Sequence, residues 1–184
     1  MGAYHKAYAI NAAAALAVGL ALDVPIAKAV EGLAKFSPMR GRYVVLRTKN
    51  NQVLIDDAYN ANPESMRAGL SSVQDTYASQ KKALVLGDMK ELGSLSVEAH
   101  QGIGDLCAKI NPKILITVGD YSKLIASRAQ EQGFPKSSCR HFSNVGELLP
   151  HLEGLLNGIE IIYIKGSFSV QLNKVVDNLI GEGR

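Results

Sequence analysis

Gln52–Gly93 reads "QVLIDDAYNANPESMRAGLSSVQDTYASQKKALVLGDMKELG" and places two short apolar runs on either side of a segment with helical periodicity. The first run, "QVLIDD", ends in two adjacent carboxylates. Met66, Leu70, Val73 and Tyr77 then fall on one face of a helix expected from about Pro63 to Tyr77. The second run, "ALVLG", is continuously apolar rather than alternating. A strand that is apolar on both faces must be covered on both, which is the habit of parallel sheets. Strand, helix and strand in this order predict a parallel unit, with an acid-rich turn where the first strand meets the helix.

Working outward, the same alternation continues to the C-terminus. Val97 to Ile110 reads as a helix and "KILITVG" as a strand, followed by a helix from Tyr121 to Gln132 and a short strand, "CRHF". A helix after Asn144, the strand "IEIIYIKG" and a final helix from Ser169 to Ile180 close the series. Toward the N-terminus, "RYVVLRT" pairs with "QVLIDD" across "KNN" as a hairpin, and "KFSPMRGR" is a connector. Residues 9–22 and 26–36 read as two helices separated at "DVP". The fold class expected is α/β: a doubly wound, mostly parallel, Rossmann-like sheet with helices on both faces, preceded by a short helical segment. Residues 1–38 form that segment and residues 39–184 the α/β domain.

Composition narrows the function. The 184 residues carry 20 basic and 17 acidic side chains with no long run of one sign, which argues against a nucleic-acid footprint. "AYAINAAAALAVGLAL" is alanine-rich, carries Asn11 and falls short of the ~20 strongly apolar residues of a membrane span, so it reads as a buried helix. No export leader opens the chain, which leads to the expectation of a cytoplasmic protein. Cys107 and Cys139 lack metal-ligand spacing and read as buried thiols of a reducing compartment. His5, His141 and His151 are not spaced as ligands, so no metal site is expected.

In an open parallel sheet, ligands bind beyond the carboxyl ends of the strands. Three polar clusters sit at such ends: "DDAYNANP", "GDMKELG" and "KGSFS". Asn62 suits an N-cap, Pro63 the first helical position, and Glu64 the positive end of the helix dipole. Capping leaves Asp56, Asp57, Tyr59 and Asn60 to be explained. Asp56 reads as a strand-end residue that bonds nearby backbone, and His100 as a satisfied surface histidine. Glu91 is either a site carboxylate or a solvated one, and Lys165 either a site cation or a solvated one.

"IDDAYNANPESM", "ALVLGDMKELG", "HQGIGD", "ILITVGDYS" and "IIYIKGS", in this order and at these strand ends, resemble the C-terminal domain of the Mur ligases. Gly41 and Arg42 match the hinge of that family, and "INAAAALAVGLAL" resembles the helix that closes its central ATPase domain. The resemblance implies a ligase in which ATP, with Mg²⁺, phosphorylates the carboxylate of UDP-N-acetylmuramoyl-tripeptide and the amine of D-alanyl-D-alanine attacks the acyl phosphate. It implies that Arg42, Asp57, Tyr59, Asn60 and Asn62 bind ATP, and that Asp88, Glu91, Lys165 and Ser167 border the amino substrate. No GxxxxGK[ST] loop occurs in the chain, so the phosphate cradle and the metal ligands are expected in a central domain outside these residues. No catalytic residue is therefore assigned here, and the chain alone is expected to be inactive.

One position departs from the pattern. Phe168 stands where the family usually has arginine, and phenylalanine cannot fork onto a carboxylate. Two other readings remain: a sister ligase adding a diamino acid or glutamate, including folate polyglutamylation, against which "NANP" and "DMKELG" argue; and a free-standing module that binds a nucleotide or peptide without catalysis.

Overall fold

The structure, a computed structural model, describes residues 6–181, with side chains described from Tyr8 onward; His5 lies outside them. The chain runs α1 (Lys6–Ala21), α2 (Ile26–Ala34), β1 (Val44–Arg47), β2 (Val53–Asp57), α3 (Pro63–Thr76), β3 (Lys82–Gly87), α4 (Ser96–Ile110), β4 (Ile114–Val118), α5 (Lys123–Glu131), β5 (Cys139–Phe142), α6 (Val145–Leu148), α7 (Leu152–Leu155), β6 (Ile161–Lys165) and α8 (Asn173–Ile180). β1 and β2 form the expected antiparallel hairpin, and every other pairing is parallel. The six strands lie in the order β1-β2-β6-β3-β4-β5, so β6, the last in sequence, is inserted between β2 and β3.

Each face of the sheet carries its own core. Ile55, Leu84, Leu86 and Leu115 meet Met66, Leu70 and Val73 of α3, Ile103 and Cys107 of α4, and Ile125 of α5. On the other face, Leu54, Val85, Ile116, Ile162 and Ile164 meet Leu148, Leu152, Val175, Val176 and Leu179. β3, β4 and β6 are buried at every position, which is why their sequences are apolar runs.

Two expectations change. The alanine-rich N-terminal stretch is helical but not buried: Ile10 is 70% and Val18 60% exposed, and no described side chain of α1 is buried. Its apolar residues are spread around the helix rather than gathered on one stripe, so no single contact covers them. The final helix is interrupted. Phe168–Val170 form a 3₁₀ turn, Gln171 adopts a left-handed conformation (φ 63°), and α8 begins only at Asn173. The break seats Leu172, fully buried, against Gly87 and Gly166, where an added Cβ would lie 3.1 and 2.8 Å from its Cδ1. Among the described residues, no helix is long and apolar enough to cross a membrane.

Candidate functional site

β2 ends in Asp56 and Asp57, whose side chains leave the strand on opposite faces. Asp56 is consumed by backbone. Its Oδ2 accepts the Gly41 N–H at 2.9 Å and its Oδ1 the Ala58 N–H at 3.2 Å. Burial pushes its carboxyl upward, and the two amides oppose that. Gly41 is required here: its φ is +75°, and an added Cβ would stand 2.8 Å from Tyr59 Cβ. The Tyr59 N–H returns a bond to the Gly41 carbonyl at 3.1 Å. The connector is thus sewn to the β2–α3 loop, and Arg42 lies with its guanidinium 4.2 Å over the Tyr59 ring.

Asp57 faces the other way. Its Oδ2 accepts both the Tyr163 hydroxyl at 2.9 Å and the Lys165 ammonium at 2.8 Å. Lys165 is its register neighbour in β6, and Tyr163 lies two residues earlier on the same face. Gly69 lets α3 come down onto this cluster, since a Cβ there would overlap the Tyr163 hydroxyl at 1.9 Å. Burial raises the Tyr163 hydroxyl well above its ordinary value, and the Asp57 charge adds to it. Asp57 Oδ1 accepts no hydrogen bond among the described residues. Lys165 also donates to the Asn60 carbonyl at 3.1 Å.

A cavity of about 410 Å³ opens here, lined by Asp57, Arg42, Asn60, Asn62, Lys165, Tyr8 and Asn11 among others. Asn62 caps α3 as expected: its Oδ1 accepts the Ser65 N–H at 2.8 Å while Ser65 Oγ accepts the Asn62 N–H at 3.1 Å. Asn60 Oδ1 accepts the Ala61 N–H at 2.9 Å. The side-chain NH₂ groups of both asparagines donate no bond among the described residues, so each keeps donors for a ligand.

The second cluster is separate. Asp88, 1% exposed beyond β3, accepts the Tyr121 and Ser122 N–H groups on Oδ1 at 3.0 and 2.7 Å, and the Asp120 N–H on Oδ2 at 3.1 Å. Lys90 Nζ reaches the same Oδ2 at 2.8 Å, and that bond raises the pKa of Lys90. The Lys90 N–H donates to Ser167 Oγ, and the Ser167 N–H to the Asp88 carbonyl, each at 2.9 Å. Asp88 therefore clamps the β4–α5 loop. A cavity of about 390 Å³ beside it is lined by Lys90, Asp120, Asn144, Gln171 and Lys174 with others.

Of the residues singled out from sequence, Arg42, Asp57, Asn60 and Asn62 come together, and Lys165 joins them rather than Asp88. Tyr59 turns to a smaller cavity of about 230 Å³ with Phe168, its ring 6.0 Å from that side chain. Asp88 and Ser167 are hydrogen-bonded neighbours; Glu91 is exposed on their loop with φ 63°. His100 is satisfied but fully buried, a correction to the surface position expected. Its Nε2 accepts the Met89 N–H at 3.0 Å and its Nδ1 lies 2.6 Å from the Ser96 carbonyl, so the neutral ring ties α4 to the "GDMKELG" loop. Sequence reasoning missed Tyr163 and Lys90. Lys90 had a signal, its place in "GDMKELG"; Tyr163 looked like one more core residue of an apolar strand.

Among the described residues, no group of three or more His, Cys, Asp or Glu stands together to hold a metal ion. The chain is 32% identical over 173 residues to the UDP-N-acetylmuramoyl-tripeptide–D-alanyl-D-alanine ligase of Bacillus subtilis, a match covering 93% of this chain and 37% of that protein. It is 33% identical over 174 residues to the ligase of the same name from Buchnera aphidicola, covering 94% and 36%. A crystal structure of MurF from Acinetobacter baumannii superposes with a TM-score of 0.79 at 28% identity, covering 93% of this chain and 37% of that one. The chain thus spans little more than a third of the length of these relatives. The family described as "Mur ligase, glutamate ligase domain" matches residues 41–168, which hold both clusters, and the chain belongs to it.

Proposed function

We propose that this chain is the C-terminal part of an ATP-dependent ligase that adds D-alanyl-D-alanine to UDP-N-acetylmuramoyl-tripeptide, with residues 39–184 as the domain that closes over ATP and residues 1–38 as the end of a central ATPase domain. The observation that carries the nucleotide reading is Asp57: one oxygen locked by Tyr163 and Lys165, the other uncommitted, at a cavity shared with Arg42 and two asparagines. A free carboxylate oxygen is the acceptor that ribose hydroxyls need. The asparagine NH₂ groups suit the acceptors of a purine, and the Arg42 guanidinium suits phosphate oxygens. Tyr59 helps by holding the Arg42 guanidinium against its ring.

Asp88, Glu91 and Ser167 border the amino substrate in this reading, and the cation that meets the dipeptide carboxylate is Lys90, whose side chain is 39% exposed beside Asp88, rather than Lys165, which is buried and donates to both Asp57 and the Asn60 carbonyl. Mg²⁺ would neutralise the transferring phosphoryl group, with its protein ligands in the part of the relatives that this chain does not span. The domain's own contribution is positioning: it brings the amine to the acyl phosphate and excludes water. Without a phosphate cradle, the 184 residues alone do not turn over ATP. Two buried free thiols suit a reducing cytoplasm.

The first test is the coding sequence upstream of Met1, expected to continue in frame through a GxxxxGK[ST] loop. A stop codon and a true start there would instead favour the free-standing binding module. In the complete ligase, Asp57→Ala is expected to lower kcat/KM for ATP by about tenfold or more. A change within about twofold would remove the residue from the nucleotide site.

A further inference from the structure

Tyr163 and Lys165 sit two residues apart on one face of β6, and both donate to a single atom, Asp57 Oδ2. Lys165 spends a second proton on the Asn60 carbonyl. The pair is buried, with 4% side-chain exposure for Lys165 and 12% for Asp57. A buried ion pair of this kind adds little net stability, because desolvating both charges offsets most of their attraction. What it does supply is direction. With both donors on Oδ2, the carboxylate cannot rotate freely, and Oδ1 keeps its lone pairs for whatever enters the cavity. The Asn60 carbonyl has no other partner among the described residues, so at this point the β2–α3 loop, tied elsewhere by Tyr59 to Gly41 and by the Asn62–Ser65 cap, is held by the Lys165 ammonium.

We propose that Lys165 is a positioning residue of the nucleotide cavity: it fixes Asp57 through Oδ2 and the loop through the Asn60 carbonyl, so that Asp57 Oδ1 meets the ribose hydroxyls, and it acts through Asp57 rather than on the phosphates. The inference rests on the nucleotide reading above. It also gives Tyr163 a role, as the second donor that keeps the carboxylate from turning.

The test compares KM for ATP and for 2′,3′-dideoxy-ATP in the complete ligase. The wild type is expected to favour ATP by about tenfold or more, the worth of a charge-assisted hydrogen bond. Lys165→Met is expected to raise KM for ATP by about tenfold and to bring the two nucleotides within about twofold of each other, the loss falling on KM rather than kcat. Tyr163→Phe, which keeps the ring under Gly69, is expected to reduce the preference partway. If Lys165→Met raises both KM values equally and keeps the preference, the lysine acts on the phosphates and the positioning role is overturned. If that variant does not fold, Tyr163→Phe decides alone, and an unchanged preference overturns the proposal. A wild type with no preference for ATP over the dideoxy analogue would sink the nucleotide reading itself, a result distinct from either of these.

Discussion

His100 shows how one side chain links protonation to the shape of a loop. Its Nε2 lone pair receives the Met89 N–H, and its ring stacks on Tyr121 at 5.6 Å. Burial, the dominant influence, holds its pKa below the ordinary 6.5. The unfolded chain therefore takes up this proton first as pH falls, so the stabilisation is fully present above about pH 6.5 and is lost progressively below it. Denaturation midpoints at pH 7.5 and 5.5 should fall further for the wild type than for His100→Gln. Equal falls would show that another group carries the dependence, such as His141, whose pKa is also lowered by burial. Phe168 is the other residue that invites a single change. It is 65% exposed beside Tyr59, and a guanidinium there has room to reach a carboxylate. Phe168→Arg in the complete ligase is expected to lower KM for D-alanyl-D-alanine several-fold; an unmoved KM would mean that Lys90 already suffices.

At the scale of elements, the site depends on a few close approaches that only glycine permits. Gly41 combines a left-handed backbone with a Tyr59 Cβ at 2.8 Å, so Gly41→Ala is expected to cost about 2 kcal/mol or more and to detach Arg42 from its ring contact. A urea titration of the chain would measure it, and a midpoint within error of wild type would contradict the geometry. The end of α3 is closed by Lys82, a buried side chain whose ammonium donates to the carbonyls of Tyr77, Ala78 and Gln80 at 2.7, 3.0 and 3.2 Å. A cation at a helix C-terminus satisfies carbonyls that have no partner inside the helix. α3 is thus capped by Asn62 at its start, next to the loop on which Asn60 lies, while Lys82 ties down the turn that follows its end.

Across the whole molecule, two faces of one sheet are covered, and the α1–α2 hairpin is not. Ile10, Val18, Leu20, Leu22, Ile26 and Val30 are each at least half exposed, a larger apolar display than isolated surface residues explain. The isolated chain is expected to self-associate with rising concentration in sedimentation velocity, and Ile10→Gln with Leu22→Gln to weaken that association. A chain that stays monomeric at high concentration would show that the hairpin finds cover within itself.

Much of this was legible in the amino-acid sequence. The hairpin, the crossover helices, the Asn62 cap and the role of Asp56 followed from patterns that act within a few residues, where periodicity and capping are decided. The family resemblance followed from motifs at strand ends. What tertiary structure decided was partnership between distant segments. Asp57 and Lys165 are 108 positions apart, and they meet only because β6 slots between β2 and β3. Strand order is set by how the whole sheet packs its helices, so nothing local in "IIYIKG" announces that its lysine belongs with the acids of "IDDAYNANP". The same holds for His100, buried by the loop and aromatic ring that fold over it, and for α1, whose apolar residues outnumber the surface that the described chain offers to cover them.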